Sequence, residues 1–146
     1  MWPTRDNERS VITSTKTMVN GDILFHISEH LQLLNLFSEC VTANGATAST
    51  LQYSITPDVG AVTAISGVSA SLANVAAGTI LVLDGAALAT APALTSSGVA
   101  LAQTARGIII PAGTIRLVIG VGSTTGTWVH HIRYRPLHPG AFATGV

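Results

Sequence analysis

Charge is what this chain of 146 residues has least of. Asp, Glu, Lys and Arg make up 10% of it, against about a quarter in ordinary soluble domains. Between Val59 and Ala105 the only charged side chain is Asp84. Seven basic residues balance seven acidic ones, so no basic field exists to draw the chain to nucleic acid or to anionic lipid. Disorder is also excluded, because 47% hydrophobic content with many β-branched residues permits the apolar burial that weakly hydrophobic, highly charged chains cannot achieve. A surface so thinly charged is poorly protected against association. The composition therefore points to a folded domain whose exterior is partly covered in an assembly.

Cysteine is nearly absent too. The single Cys40 excludes an intrachain disulfide, and its neighbours Leu36, Phe37 and Val41 read as the setting of a small buried thiol in a reducing compartment. No basic residue lies near it in sequence to activate it as a nucleophile. Aromatic residues amount to 5%, few for a carbohydrate-binding platform. No apolar run approaches the 18 or so residues that a membrane helix needs. The start, Met1-Trp2-Pro3-Thr4-Arg5-Asp6-Asn7-Glu8-Arg9, is polar where a secretory signal would be apolar. The expectation is a soluble protein, cytoplasmic when made, of one domain.

What is present is turn chemistry and β-branched sequence. Asn20-Gly21, Asn44-Gly45 and Asp84-Gly85 tolerate the positive φ angles of tight hairpins, and Pro111-Ala112-Gly113 supplies a fourth turn. Between them lie short runs with strand periodicity: Leu51–Ile55, Ile115–Ile119 and Trp128–Tyr134. In the last, Trp128, His130, Ile132 and Tyr134 fall on one face and Val129, His131, Arg133 and Arg135 on the other. Asp22 to Cys40 fits a helix, with Leu24, Ile27, Leu31 and Leu34 at helical spacing, or two strands, with Ile23, Phe25 and Ile27 alternating; the flanking Asn-Gly pairs favour strands. Residues 86–105 read as a long loop or irregular strands. The fold expected is all-β, an antiparallel sandwich or jelly roll over residues 11–146, with an extended N-terminal arm over residues 1–10.

The sharpest chemical motif is His26-Ile27-Ser28-Glu29-His30, the H-x-x-E-H pattern of one class of zinc peptidases. That chemistry requires a helix presenting both histidines to one metal and a third ligand from elsewhere. Only Glu39, Asp58 and Asp84 lie downstream as carboxylates, and a strand frame suits the segment better, so the reading assigns no metal, no cofactor and no catalytic residue. His130 and His131 are adjacent on a strand and face opposite ways. Gly120–Gly126 lacks the lysine of a phosphate-binding loop and reads as a hairpin loop between the last two strands. Arg133 and Arg135, with His131, line one strand face that suits a carboxylate, a sugar or a partner chain.

Leu24-Phe25-His26-Ile27 running into Leu33–Thr42, then Asn44-Gly45-Ala46-Thr47 before Leu51–Pro57, and the ending Gly126-Thr127-Trp128 to Ile132-Arg133-Tyr134-Arg135-Pro136-Leu137, resemble a class of small tailed-bacteriophage virion proteins. The resemblance covers about residues 22–140 and leaves the arm unmatched. It implies an all-β, non-enzymatic capsid decoration or cement protein, a homo-oligomer assembled in the host cytoplasm, with the major capsid protein and its own copies as partners. The interface expected on this reading combines Trp2, Arg5 and Arg9 of the arm with Arg133 and Arg135, Trp2 filling a pocket on a neighbouring chain. A fibre or baseplate module binding host carbohydrate through Trp128, Tyr134 and nearby Arg side chains is the alternative, and a zinc hydrolase built on His26, Glu29 and His30 the second.

Overall fold

The computed structural model describes residues 8–83, 90–95 and 108–146. Among them the chain forms β1 (Arg9–Ile12), β2 (Ile23–Ile27), β3 (Leu31–Cys40), β4 (Thr50–Pro57), β5 (Thr63–Ala64), β6 (Ile80–Val82), β7 (Ala93–Thr95), β8 (Ile108–Ile110), β9 (Gly113–Gly120), β10 (Trp128–Pro136) and β11 (Ala143–Gly145), and no helix. These strands make two antiparallel sheets. Sheet I runs β1-β10-β3-β6-β7 with β8 also paired to β3, and sheet II runs β11-β2-β9-β4-β5. At ten residues, β3 is long enough for one edge to serve two partners, Phe37–Glu39 pairing with β6 and Leu31–Leu33 with β8.

The segment 22–40 is thus two strands, as the turn residues favour, and its helix-like spacing has a specific origin. Both strands carry bulges. Register slips at Leu24 in the β2–β9 pairing, so Leu24 and Phe25 are both fully buried. In the β10–β3 pairing, Ile132 faces Leu36 but Tyr134 faces Leu33, one extra residue on β3. Each bulge shifts the inward set by one position and breaks the period of two.

Without the edge strands β7, β8 and β11, sheet I is β1-β10-β3-β6 and sheet II is β2-β9-β4-β5, the strand order of a jelly roll. Consecutive strands therefore pair only in β4–β5 and β6–β7 among the described residues. This corrects three turns. Asn20-Gly21 is a tight turn with Gly21 at φ 87°, but the chain before it bonds to β10 in sheet I, through Thr13 and Lys16, and the chain after it enters sheet II. Asn44-Gly45 joins β3 to β4, and Gly120–Gly126 joins β9 to β10, each passing between sheets. A turn dipeptide fixes local φ; which sheet the chain enters next depends on where the following apolar face is buried. Asp84-Gly85 lies outside the described residues, as does most of 86–105.

One core fills the space between the sheets. Trp128, Tyr53, Phe25, Met18, Leu31, Leu36, Leu51 and Ile115 are fully buried in it. Asn44 closes one end: its Oδ1 accepts the Trp128 Nε1–H and the Gly126 N–H, both at 3.1 Å, and its Nδ2 donates to Leu72 O at 3.0 Å. The indole thus gains the partner that a buried Trp requires. A β-carbon at position 126 would collide with the Thr42 carbonyl, which explains glycine there. At another edge, Ser14 N donates to Val146 O and Val146 N to Leu24 O, both at 3.0 Å, so the last residue joins the segment after β1 to β2.

Candidate interaction face

Alternation along β10 delivers two unlike faces. Inward go Trp128, His130, Ile132 and Tyr134, all buried; outward go His131, Arg133 and Arg135, all half-buried. Cross-strand pairing arranges the outward residues in rows. Ile12, His131 and Phe37 form one row across β1, β10 and β3, and Ser10, Arg133 and Asn35 form the next. Arg135 lies opposite Gln32 and donates to its Oε1 at 3.4 Å.

The rows interact. The rings of Phe37 and His131 stack with centroids 4.5 Å apart and planes 9° from parallel, a cross-strand aromatic contact of the kind that stabilises sheets. Glu8, just before β1, bridges both arginines, 2.8 Å from Arg133 Nη2 and 3.4 Å from Arg135 Nη2. Between these rows lies a groove of about 300 Å³ lined by Ser10, Ile12, Asn35, Phe37, His131 and Arg133, among others. His131 Nε2 and Arg133 Nε are shielded from solvent and lack a hydrogen-bond partner among the described residues. Partial burial lowers the His131 pKa, against the opposing pull of Glu39 at 3.8 Å.

The inward face holds a second polar group that the sequence did not announce. Ser38 on β3 pairs with His130 on β10; its Oγ lies 2.5 Å from His130 Nδ1 and 2.5 Å from the Tyr53 hydroxyl of sheet II. Ser38, Tyr53 and His130 are 0%, 0% and 1% exposed. Burial, aided by Lys16 and His131, lowers His130 to about 3, and burial raises the Tyr53 pKa despite the Ser38 hydrogen bond. The arrangement has the residue types of a nucleophile and its base, and its hydrogen bonds make it a polar tie between the sheets. The one available signal was that Ser38 and His130 each occupy an inward position on a strand.

The other expected residues are distributed as follows. Arg133 and Arg135 share one face, as their spacing requires, together with His131. Arg9 begins β1 opposite Tyr134, and its Nη1 donates to Glu8 O at 3.2 Å. Arg9 and Ser10, read from sequence as arm, are therefore strand; Trp2 and Arg5 lie outside the described residues. Trp128 and Tyr134, the platform of the carbohydrate reading, are 0% and 3% exposed, and the Tyr134 hydroxyl accepts the Ala143 N–H at 3.1 Å. Neither has a free face for a sugar ring. His26 sits on β2 and Glu29 and His30 in the turn before β3, all exposed, a strand-and-turn frame instead of the helix that the zinc motif needs. Cys40 is buried as expected; its thiol bonds to Thr42 O at 3.2 Å and burial raises its pKa.

Fold and site together define an all-β antiparallel sandwich with jelly-roll strand order and one structured outer face on β1, β10 and β3. No family model, curated protein or solved structure matches the chain.

Proposed function

We propose that this chain is a non-enzymatic assembly module, a virion decoration or cement protein that binds the major capsid protein and copies of itself through the outer face of sheet I. The observation that carries the reading is the contrast between the core and the outer face of sheet I: the residue types able to do chemistry, Ser38, His130 and Tyr53, are sealed in the core, while the arginines, the aromatic stack and a groove are presented outward. Binding surfaces favour this combination, since arginine and aromatic anchors beside a pocket supply most interface energy. Two further features support it. Jelly rolls recur among viral capsid domains, an argument by analogy of fold. The low charge of the chain suits surfaces that are covered after assembly.

The test is antibody gold labelling of purified virions from a phage that encodes the chain. Label spread regularly over the capsid is the expected outcome. Label confined to the tail tip would replace decoration by a fibre or baseplate role, and unlabelled virions would remove the virion reading altogether.

A further inference from the structure

We infer that the groove on the outer face of sheet I receives Trp2 of a second copy of this chain, so that neighbouring subunits are joined by exchange of their N-terminal segments. The inference rests on the outer face of sheet I being an interface, and not on what larger particle that interface serves.

Three observations converge on this occupant. The first is the groove's chemistry. Phe37 and Ile12 give it apolar walls beside the parallel Phe37–His131 pair, and Ile12 is 55% exposed, a large aliphatic side chain left in water. Arg133, part of the groove's lining, supplies a guanidinium for an aromatic face. The second is what the chain itself offers. Seven residues precede Glu8, and the one large apolar side chain among them besides Met1 is Trp2. Trp is the residue type most enriched among interface anchors, and Pro3 biases the residue before it to the extended backbone that lies readily across a sheet.

The third is direction, which favours a neighbour's groove over the chain's own. Ile12 is opposite His131 and Ser10 opposite Arg133, and Glu8 reaches on to Arg135. Followed upstream, the chain thus travels away from the Phe37–His131 end of the groove. The Glu8 bridge to two arginines fixes that exit. With zero formal net charge, no long-range repulsion opposes the approach of a second copy to this face.

Sedimentation velocity on purified full-length protein tests this, using Trp2→Ala to remove the anchor and Ile12→Lys to block the groove at an exposed position. The wild-type chain is expected to self-associate, and each variant to do so at least roughly tenfold more weakly with its melting temperature little changed. An equimolar mixture of the two variants is expected to recover part of the association, because one still offers an open groove and the other an intact Trp2. A monomeric wild-type chain, undiminished association of Trp2→Ala, or a mixture no better than its parents would each overturn the inference; the last would put Trp2 in the groove of its own chain. Since the assay uses isolated protein, its failure leaves the virion labelling result standing, and the converse holds.

Discussion

On sheet II the outward positions of β4 and β9 set Gln52, Ser54 and Thr56 opposite Val118, Arg116 and Thr114. Apart from the exposed Val118, these are polar groups around one arginine, whose Nε already donates to Thr114 Oγ1 at 3.0 Å. On sheet I the equivalent surface sets Phe37 and Asn35 opposite His131 and Arg133, with Ile12 and Ser10 beyond them. Strand geometry is the same on both faces, so the difference lies in which side chains the cross-strand rows bring together. No aromatic side chain stands in these rows of sheet II. Aromatic and guanidinium groups, spaced by Ser10 and Asn35, leave a groove. The same reasoning separates the two sides of β10, where adjacent histidines serve opposite ends: His130 ties the sheets together, and His131 stacks on Phe37 on the outer face.

If the inner side of β10 maintains the fold and the outer side makes contacts, substitutions must divide accordingly. The largest effect belongs to Trp128→Ala, which removes a fully buried indole and leaves the Asn44 carboxamide short of a partner; a loss of about 3–5 kcal/mol is expected, read by denaturant unfolding. Next comes acid. His130 stays neutral in the fold down to about pH 3, against an ordinary value of 6.5, so below pH 6.5 the unfolded chain takes up a proton that the folded one refuses. The stability held above pH 6.5 therefore falls as pH drops toward 3, by up to about 1.4 kcal/mol per pH unit for this group. Unfolding curves between pH 7 and 4 should show that slope, and His130→Gln should flatten it. An unchanged slope in the variant would detach the buried histidine from the account.

The outer side predicts the reverse pattern. Arg133→Ala with Arg135→Ala breaks the half-buried pairing with Glu8, which costs about 0–1 kcal/mol, while attachment to particles should fall by roughly tenfold or more in a cosedimentation assay. The smallest effect belongs to His26→Ala with His30→Ala, exposed and outside any helix: melting temperature and assembly should stay within the roughly ±0.5 kcal/mol usual for surface changes. Removal of residues 1–7 belongs with the arginine variants and should spare the melting temperature. A longer cut, to residue 9, would also take away Glu8 and the first pair of β1.

Much of the architecture was legible in the sequence because the information is local. Trp128–Tyr134, Ile115–Ile119 and Leu51–Ile55 carry a period of two and are strands, and the face shared by His131, Arg133 and Arg135 follows from that period alone. The connections were not legible. Asn44-Gly45 has hairpin chemistry, yet Asn44 spends its side chain on Trp128, Gly126 and Leu72, partners far along the chain that no dipeptide rule contains. The helix-like spacing of Leu24, Ile27, Leu31 and Leu34 came from bulges in β2 and β3. The groove needs β1 beside β10 and β10 beside β3, and the Ser38–His130–Tyr53 tie joins three strands in two sheets; both are properties of topology and were beyond reach before it was known.

Hydroxyl-radical footprinting of the chain, free and bound to virions, tests the central claim most directly, because it reads side-chain exposure on both outer faces at once. The account predicts protection of Ile12, Phe37 and His131 on binding, with Val118 on the outer face of sheet II as reactive as in the free protein. Protection of Val118 with Ile12, Phe37 and His131 unchanged would contradict it and move the interface to the other sheet.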